Sequence, residues 1–127
     1  MVLLDTHAVI WAITDDSRLG QAARTRITAA TAESLAIADI TLLEVSMLAA
    51  KGRITCESSL ASTLETIAAK VTVLPIDAVI AAEAMALALP QGDPFDRVIV
   101  ATARRYNLPL LTRDQAITES GLVEVVW

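Results

Sequence analysis

The chain lacks most of what would mark a secreted, disordered, zinc-binding or membrane-spanning protein. Its single cysteine, Cys56, cannot form an internal disulfide, which fits a reducing compartment. Its single histidine, His7, and that cysteine offer no zinc-ligand spacing. Four glycines and four prolines leave no linker, low-complexity tract or repeat, and speak against disorder. There is no Gly-rich phosphate loop and no nucleophile elbow. The aromatics are Trp11, Phe95, Tyr106 and Trp127, which form no evident stacking platform for single-stranded nucleic acid. Backbone contact and overall shape would be the expected route to any nucleic-acid recognition, and the loop Pro90–Asp93 is the segment to test for it.

Long apolar runs are also missing. Mean hydropathy is high, at +0.55. Even so, the most apolar stretch, Val71 to Pro90, is interrupted by Pro75, Asp77 and Glu83, short of the ~20 residues that a spanning helix needs. Met1 is followed directly by Val2-Leu3-Leu4-Asp5, with no basic leader or signal-type cleavage site. A soluble, cytoplasmic protein without membrane contact is expected. Positive charge is scarce too: the net charge of −5 is the wrong sign for a nucleic-acid binder. Two divalent cations held by acidic side chains would offset most of it.

What is present is a 127-residue chain, 54% hydrophobic, sized for one domain over residues 1–127. Short apolar runs at Val2–Leu4, Leu35–Ala38, Val71–Leu74, Pro109–Leu111 and Val123–Val126 read as strands. Between them, helical spacing covers Ala8–Ile13, Arg18–Ala30, Thr41–Ala50, Ser58–Ala69, Asp77–Leu89, Asp93–Tyr106 and Asp114–Glu119. Continuously apolar strands alternating with helices predict an α/β three-layer sandwich, a mostly parallel sheet flanked by helices. In such sheets, sites form beyond the carboxyl ends of strands. Asp5 and Asp114 lie there.

Four acids stand out, each with a plainer explanation. Asp5 and Asp114 each precede a helix and are accounted for as N-caps. Thr41-Leu42-Leu43-Glu44 matches a capping box. However, Glu44 has Ile40, Met47 and Leu48 as helical neighbours and no basic residue within reach, so its carboxylate needs some other partner. Asp96 is the clearest case. Ile99, Val100 and Ala103 place it on the apolar stripe, while Arg97, Ala101, Arg104 and Arg105 form the opposite face. Asp93 before Pro94 is ordinary helix-start chemistry. His7, alone beside a strand end, reads as structural. Gathered together, four carboxylates would repel one another unless cations filled the cluster. Mg²⁺ or Mn²⁺ prefers such oxygen ligands and can drive phosphodiester hydrolysis.

The sequence resembles the PIN-domain family, and within it the VapC-type toxins. The likeness rests on four pieces in family order: Val2-Leu3-Leu4-Asp5-Thr6-His7-Ala8-Val9-Ile10-Trp11-Ala12; Thr41-Leu42-Leu43-Glu44; Asp93-Pro94-Phe95-Asp96-Arg97 with Ala101-Thr102-Ala103; and Leu111-Thr112-Arg113-Asp114. It implies Mg²⁺- or Mn²⁺-dependent cleavage of RNA, a cognate antitoxin that blocks the site, and a homodimer. Carried over, Asp5, Glu44, Asp96 and Asp114 take the catalytic, metal-binding positions. Asp93, Thr6 and Thr112 take supporting ones, and Arg97 and Arg113 those that contact phosphate. One departure is Gln91, where members with this motif often carry a histidine. Two other readings share these features. One is a receiver-like Mg²⁺-binding signalling domain, which would need a lysine beyond a late strand. The other is a catalytically silent α/β binding module.

Overall fold

The computed structural model describes residues 1–90 and 93–127; Gln91 and Gly92, and with them the Gln91 departure, lie outside the described residues. Five short strands, β1 (Val2–Leu4), β2 (Leu35–Ala38), β3 (Thr72–Leu74), β4 (Leu110–Leu111) and β5 (Val125–Val126), form one sheet in the order β3-β2-β1-β4-β5. Every pairing is parallel. The helices are α1 (Thr6–Ile13), α2 (Gln21–Ala29), α3 (Ile40–Ala50), α4 (Leu60–Lys70), α5 (Ala78–Ala86), α6 (Pro94–Arg105) and α7 (Gln115–Ser120).

Strand alternation divides the core in two. Leu3, Ala36, Ala38 and Leu110 point to one face, where α5, α6 and α7 cover them through Ile80, Ile99 and Ile117. Val2, Leu4, Leu35, Ile37 and Leu111 point to the other, against Val9, Ala23, Val45 and Ile67 of the first four helices. Each fully buried Leu or Ile contributes roughly 1.5–3 kcal/mol. This is the expected three-layer sandwich, with apolar side chains on both sheet faces.

Chain direction across the sheet decides where a site can form. From β1 the chain moves outward to β2 and β3, then returns to the other side of β1 for β4 and β5. The connections after β1 and β4 therefore leave in opposite senses and open a crevice at the carboxyl ends of those strands.

Some local expectations are corrected. Helix α3 begins at Ile40, with Asp39 at its cap position, so there is no Thr41–Glu44 capping box. Glu44 sits more than a turn inside, and Thr41 is buried, accepting a hydrogen bond from Thr6 Oγ1 at 3.3 Å. Packing against α1, α4 and α6 holds this helix in place of a side-chain cap. Helix α2 starts at Gln21 because Arg18 is drawn into a turn by Asp16, whose Oδ1 accepts its backbone N–H at 2.9 Å. In α6 the expected polar face is absent at Ala101, and Val98 through Ala103 are all buried. Contacts with α5, α3 and β2 cover the middle of the helix and leave Pro94 at its start and Arg104 and Arg105 at its end exposed.

Candidate metal centre

Asp5 is the first residue beyond β1 and caps α1, its Oδ1 accepting from Ala8 N at 2.8 Å. Asp114 lies three residues beyond β4 and caps α7, its Oδ1 accepting from Ile117 N at 2.8 Å. Asp93 caps α6 through Phe95 N at 2.9 Å. The plain capping explanation is thus correct for all three, and it does not compete with a site. Capping uses one carboxylate oxygen and aims three helix N-termini at a shared region. Those termini favour negative charge.

Asp5, Glu44, Asp93, Asp96 and Asp114 line one cleft of about 350 Å³, with His7, Trp11 and Arg113 completing its wall. Asp96 comes from the first turn of α6 and Glu44 from the middle of α3. The four acids singled out in the sequence therefore converge from four separate elements, at the crevice that the strand order creates. Lys51 and Lys70, the only lysines, lie outside it, so the lysine that a receiver-like site would need is missing.

Two carboxyls here lack what a buried acid ordinarily has. Glu44 is buried, yet its Oε1 has no hydrogen-bond partner among the described residues. Burial pushes its pKa up, and the charges of Asp93 and Asp5 add to this against the pull of the Thr6 hydroxyl and His7. Asp96 is pushed up to about 7, first by burial and then by the carboxylates of Asp93, Asp114, Glu44 and Asp5. Arg113 is the one arginine or lysine in the lining. Among the described residues no three of the acids are grouped tightly enough to hold an ion as they stand; they ring the cleft.

Thr112 braces the arrangement from below. It is fully buried; its hydroxyl donates to Asp5 Oδ2 and accepts from Asp114 N at 3.1 Å. One side chain thereby ties the acid after β1 to the acid after β4. Burial raises the pKa of Asp5 and the Thr112 bond opposes the rise. Thr112→Val is expected to cost about 1–3 kcal/mol in urea unfolding at pH 7, the penalty for a buried carboxylate that loses its donor. A variant as stable as the parent would show that the hydroxyl holds nothing.

Arg97 does not face the cleft as a free cation. Its Nη1 donates to the carbonyls of Ala84 and Leu87, at 3.1 and 3.0 Å, and its Nη2 to that of Leu89 at 2.8 Å. It closes the carboxyl end of α5, where carbonyls lack helical partners. Arg97, expected to contact phosphate, spends its guanidinium on these three carbonyls. Arg113 is exposed and lines the cleft, with its guanidinium 5.8 Å from the Trp11 ring.

Sequence reasoning left three residues out of the site. His7 is exposed on the cleft wall, not packed away, and Trp11 forms part of the same wall. Trp11 follows His7 by four residues, which sets both on one face of the helix that Asp5 caps, and that was the available signal. Asp39 follows β2 but lies outside the cleft; its Oδ2 accepts from Ile76 N at 3.0 Å and its Oδ1 is buried without a partner among the described residues.

The family model described as PIN domain matches residues 2–120. The chain belongs to the PIN domain family. One relative of this PIN domain is "Ribonuclease VapC22" of Mycobacterium tuberculosis, 37% identical over 118 residues, covering 91% of this chain and 88% of the relative. Solved structures share the fold at lower identity. The DNA-bound VapBC structure from Salmonella typhimurium has a TM-score of 0.72 at 19% identity, covering 98% of this chain and 97% of that one. A toxin–antitoxin complex from Klebsiella pneumoniae has a TM-score of 0.69 at 23% identity, covering 97% and 95%. Among the described residues of this PIN domain, no helix is long and apolar enough to cross a membrane.

Proposed function

We propose that residues 1–127 form one PIN domain acting as a metal-dependent endoribonuclease, the toxin of a toxin–antitoxin pair working in the cytoplasm. The observation that carries this is the convergence of Asp5, Glu44, Asp96 and Asp114 on one cleft, with a carboxyl at about 7 and an unpartnered buried oxygen. The relative's name as a ribonuclease and the toxin–antitoxin complexes among the structural neighbours support the same reading.

The donor set fits Mg²⁺ or Mn²⁺: all oxygen, without the Cys or paired His that zinc favours. A bound divalent cation would supply Lewis acidity for activating water and for offsetting charge on the departing oxygen. Asp5, Glu44, Asp96 and Asp114 would hold it. Mutual repulsion keeps these carboxylates spread around the cleft, and a cation would relieve it. Thr112 orients Asp5, and Thr6, bonded to Thr41, buttresses the wall beside Glu44. Asp93 adds negative potential while capping α6. Arg113, exposed on the cleft wall, would contact phosphate at its mouth. An antitoxin covering this acidic mouth would silence the enzyme, and a homodimer is the expected assembly.

The test is cleavage of a mixed pool of structured and single-stranded RNAs by antitoxin-free protein. Cutting is expected with Mg²⁺ or Mn²⁺ and not with EDTA, and Mn²⁺ should raise Tm by binding only the folded state. Cutting that survives EDTA would sink the proposal.

A further inference from the structure

Beside the acidic cleft lies a second hollow of about 430 Å³, and His7 and Trp11 border both. Ile10 and Trp11 are buried and Leu48 and Ile54 half-buried, which gives it an apolar floor. Its rim is basic. Arg18 and Arg53 are exposed there, and Arg53 forms no ion pair among the described residues. Arg18 and Arg113 lie 4.9 and 5.8 Å from the Trp11 ring, so Trp11 stands as a partition with cations on it at the join of the two hollows.

Local chemistry holds this rim in place. Gly52, at φ +71°, ends α3 in a left-handed turn, in which Arg53 N donates to Leu48 O at 2.9 Å and Gly52 N to Ala49 O at 3.1 Å. That turn sets Arg53 against Leu48. Arg18 is clamped by Asp16, with Nη2 to Oδ2 at 2.8 Å, leaving its guanidinium on Trp11. An apolar floor with an arginine rim is complementary to one nucleotide: a base over the aliphatic carbons and a phosphate at the edge. On a chain with a net charge of −5, this placement of arginines beside an acidic cleft is what a polyanionic substrate requires.

We propose that this hollow is a nucleotide subsite. A single RNA strand enters it with the base against Ile10, Leu48 and Ile54 and a phosphate at Arg53. The strand then crosses His7 and Trp11 so that the next phosphate reaches Arg113 and the carboxylates. This deepens the ribonuclease reading and rests on it for the placement of the scissile phosphate. The hollow would then be the place where the nucleotide flanking the cut is selected.

The probe is fluorescein-labelled single-stranded RNA of roughly 12 nucleotides, within the length that single-strand sites cover. It is titrated with the whole chain in Ca²⁺, a hard cation that accepts oxygen ligands. Arg53→Glu is expected to weaken binding about tenfold and to lower the salt slope by about one. Leu48→Trp, which fills the hollow, is expected to weaken binding by a similar factor. Both should keep the Mn²⁺-induced rise in Tm, which reports an intact carboxylate cleft. Arg105→Glu, at the far end of α6, should bind as the parent does. Full affinity in Arg53→Glu and Leu48→Trp, or a parent chain with no affinity for RNA, would overturn the subsite. Binding that follows the expected pattern in a chain that never cuts would overturn the ribonuclease reading and leave the subsite standing.

Discussion

Asp96→Asn is expected to slow metal-dependent RNA cleavage by orders of magnitude and, in the same protein without metal, to raise stability at pH 8. The two effects have one cause. Asp96 carries a pKa of about 7 against its ordinary 3.8, so the folded chain holds that proton more tightly than the unfolded chain does. Between those values the unfolded state binds fewer protons. Stability therefore falls as pH rises from about 4 through 7 and levels off above. This is the opposite of the usual salt-bridged aspartate. The full shift would be worth roughly 4 kcal/mol, which solvent in the open cleft reduces to about 1–2 kcal/mol. Asparagine removes that cost, so Tm at pH 8 should rise by roughly 3–8 °C and the gain should vanish near pH 4.

Cleavage should meanwhile fall by about 10²–10³-fold, because a cation that would offset several kcal/mol of transition-state charge would, on the proposed reading, lose a ligand. Melting curves of both proteins from pH 4 to 8, with EDTA and then with Mn²⁺, check the first half. RNA cutting checks the second. An Asp96→Asn chain that cuts at the parent rate would remove Asp96 from the site. One that melts no later at pH 8 would show that the buried, crowded charge of Asp96 costs the fold nothing.

Arg97→Met is expected to cost about 3 kcal/mol of stability, the largest single loss foreseen for a half-buried surface position. Three carbonyls at the end of α5 lose a charged donor together. Each such bond is worth roughly 1.5–3 kcal/mol, and water recovers part of the total. Lysine should rescue little, since a point charge cannot satisfy three carbonyls as a planar fork does. The urea midpoint measures this. RNA binding separates the structural role from the phosphate-contact role: a phosphate contact would leave the midpoint unchanged and lower the salt slope by about one. Because Asp96 is the preceding residue on the same turn, cleavage in Arg97→Met should fall with the loosening of α6, and the salt slope should not move.

The sequence alone determined the α/β class, the strand positions and the identity of the converging acids. Buried parallel strands are apolar on both faces, so runs such as Val2–Leu4 and Leu35–Ala38 stand out without any partner being known. Asp96 was legible because a carboxylate on an apolar helical stripe is costly. The family motifs named the rest. Other features depend on elements far apart in the chain, and only the tertiary structure decided them. Thr41 reads as a cap until α1 brings Thr6 to it. Arg97 reads as a free cation until the end of α5 supplies three carbonyls. The hollow beside the cleft combines Ile10 of α1 with Leu48 of α3 and with Arg53 and Ile54 beyond it, a grouping that no spacing along the chain encodes. Periodicity and capping act over a few residues and can be read directly. Burial, satisfied polar groups and the field of neighbouring charges arise only once helices close over the sheet.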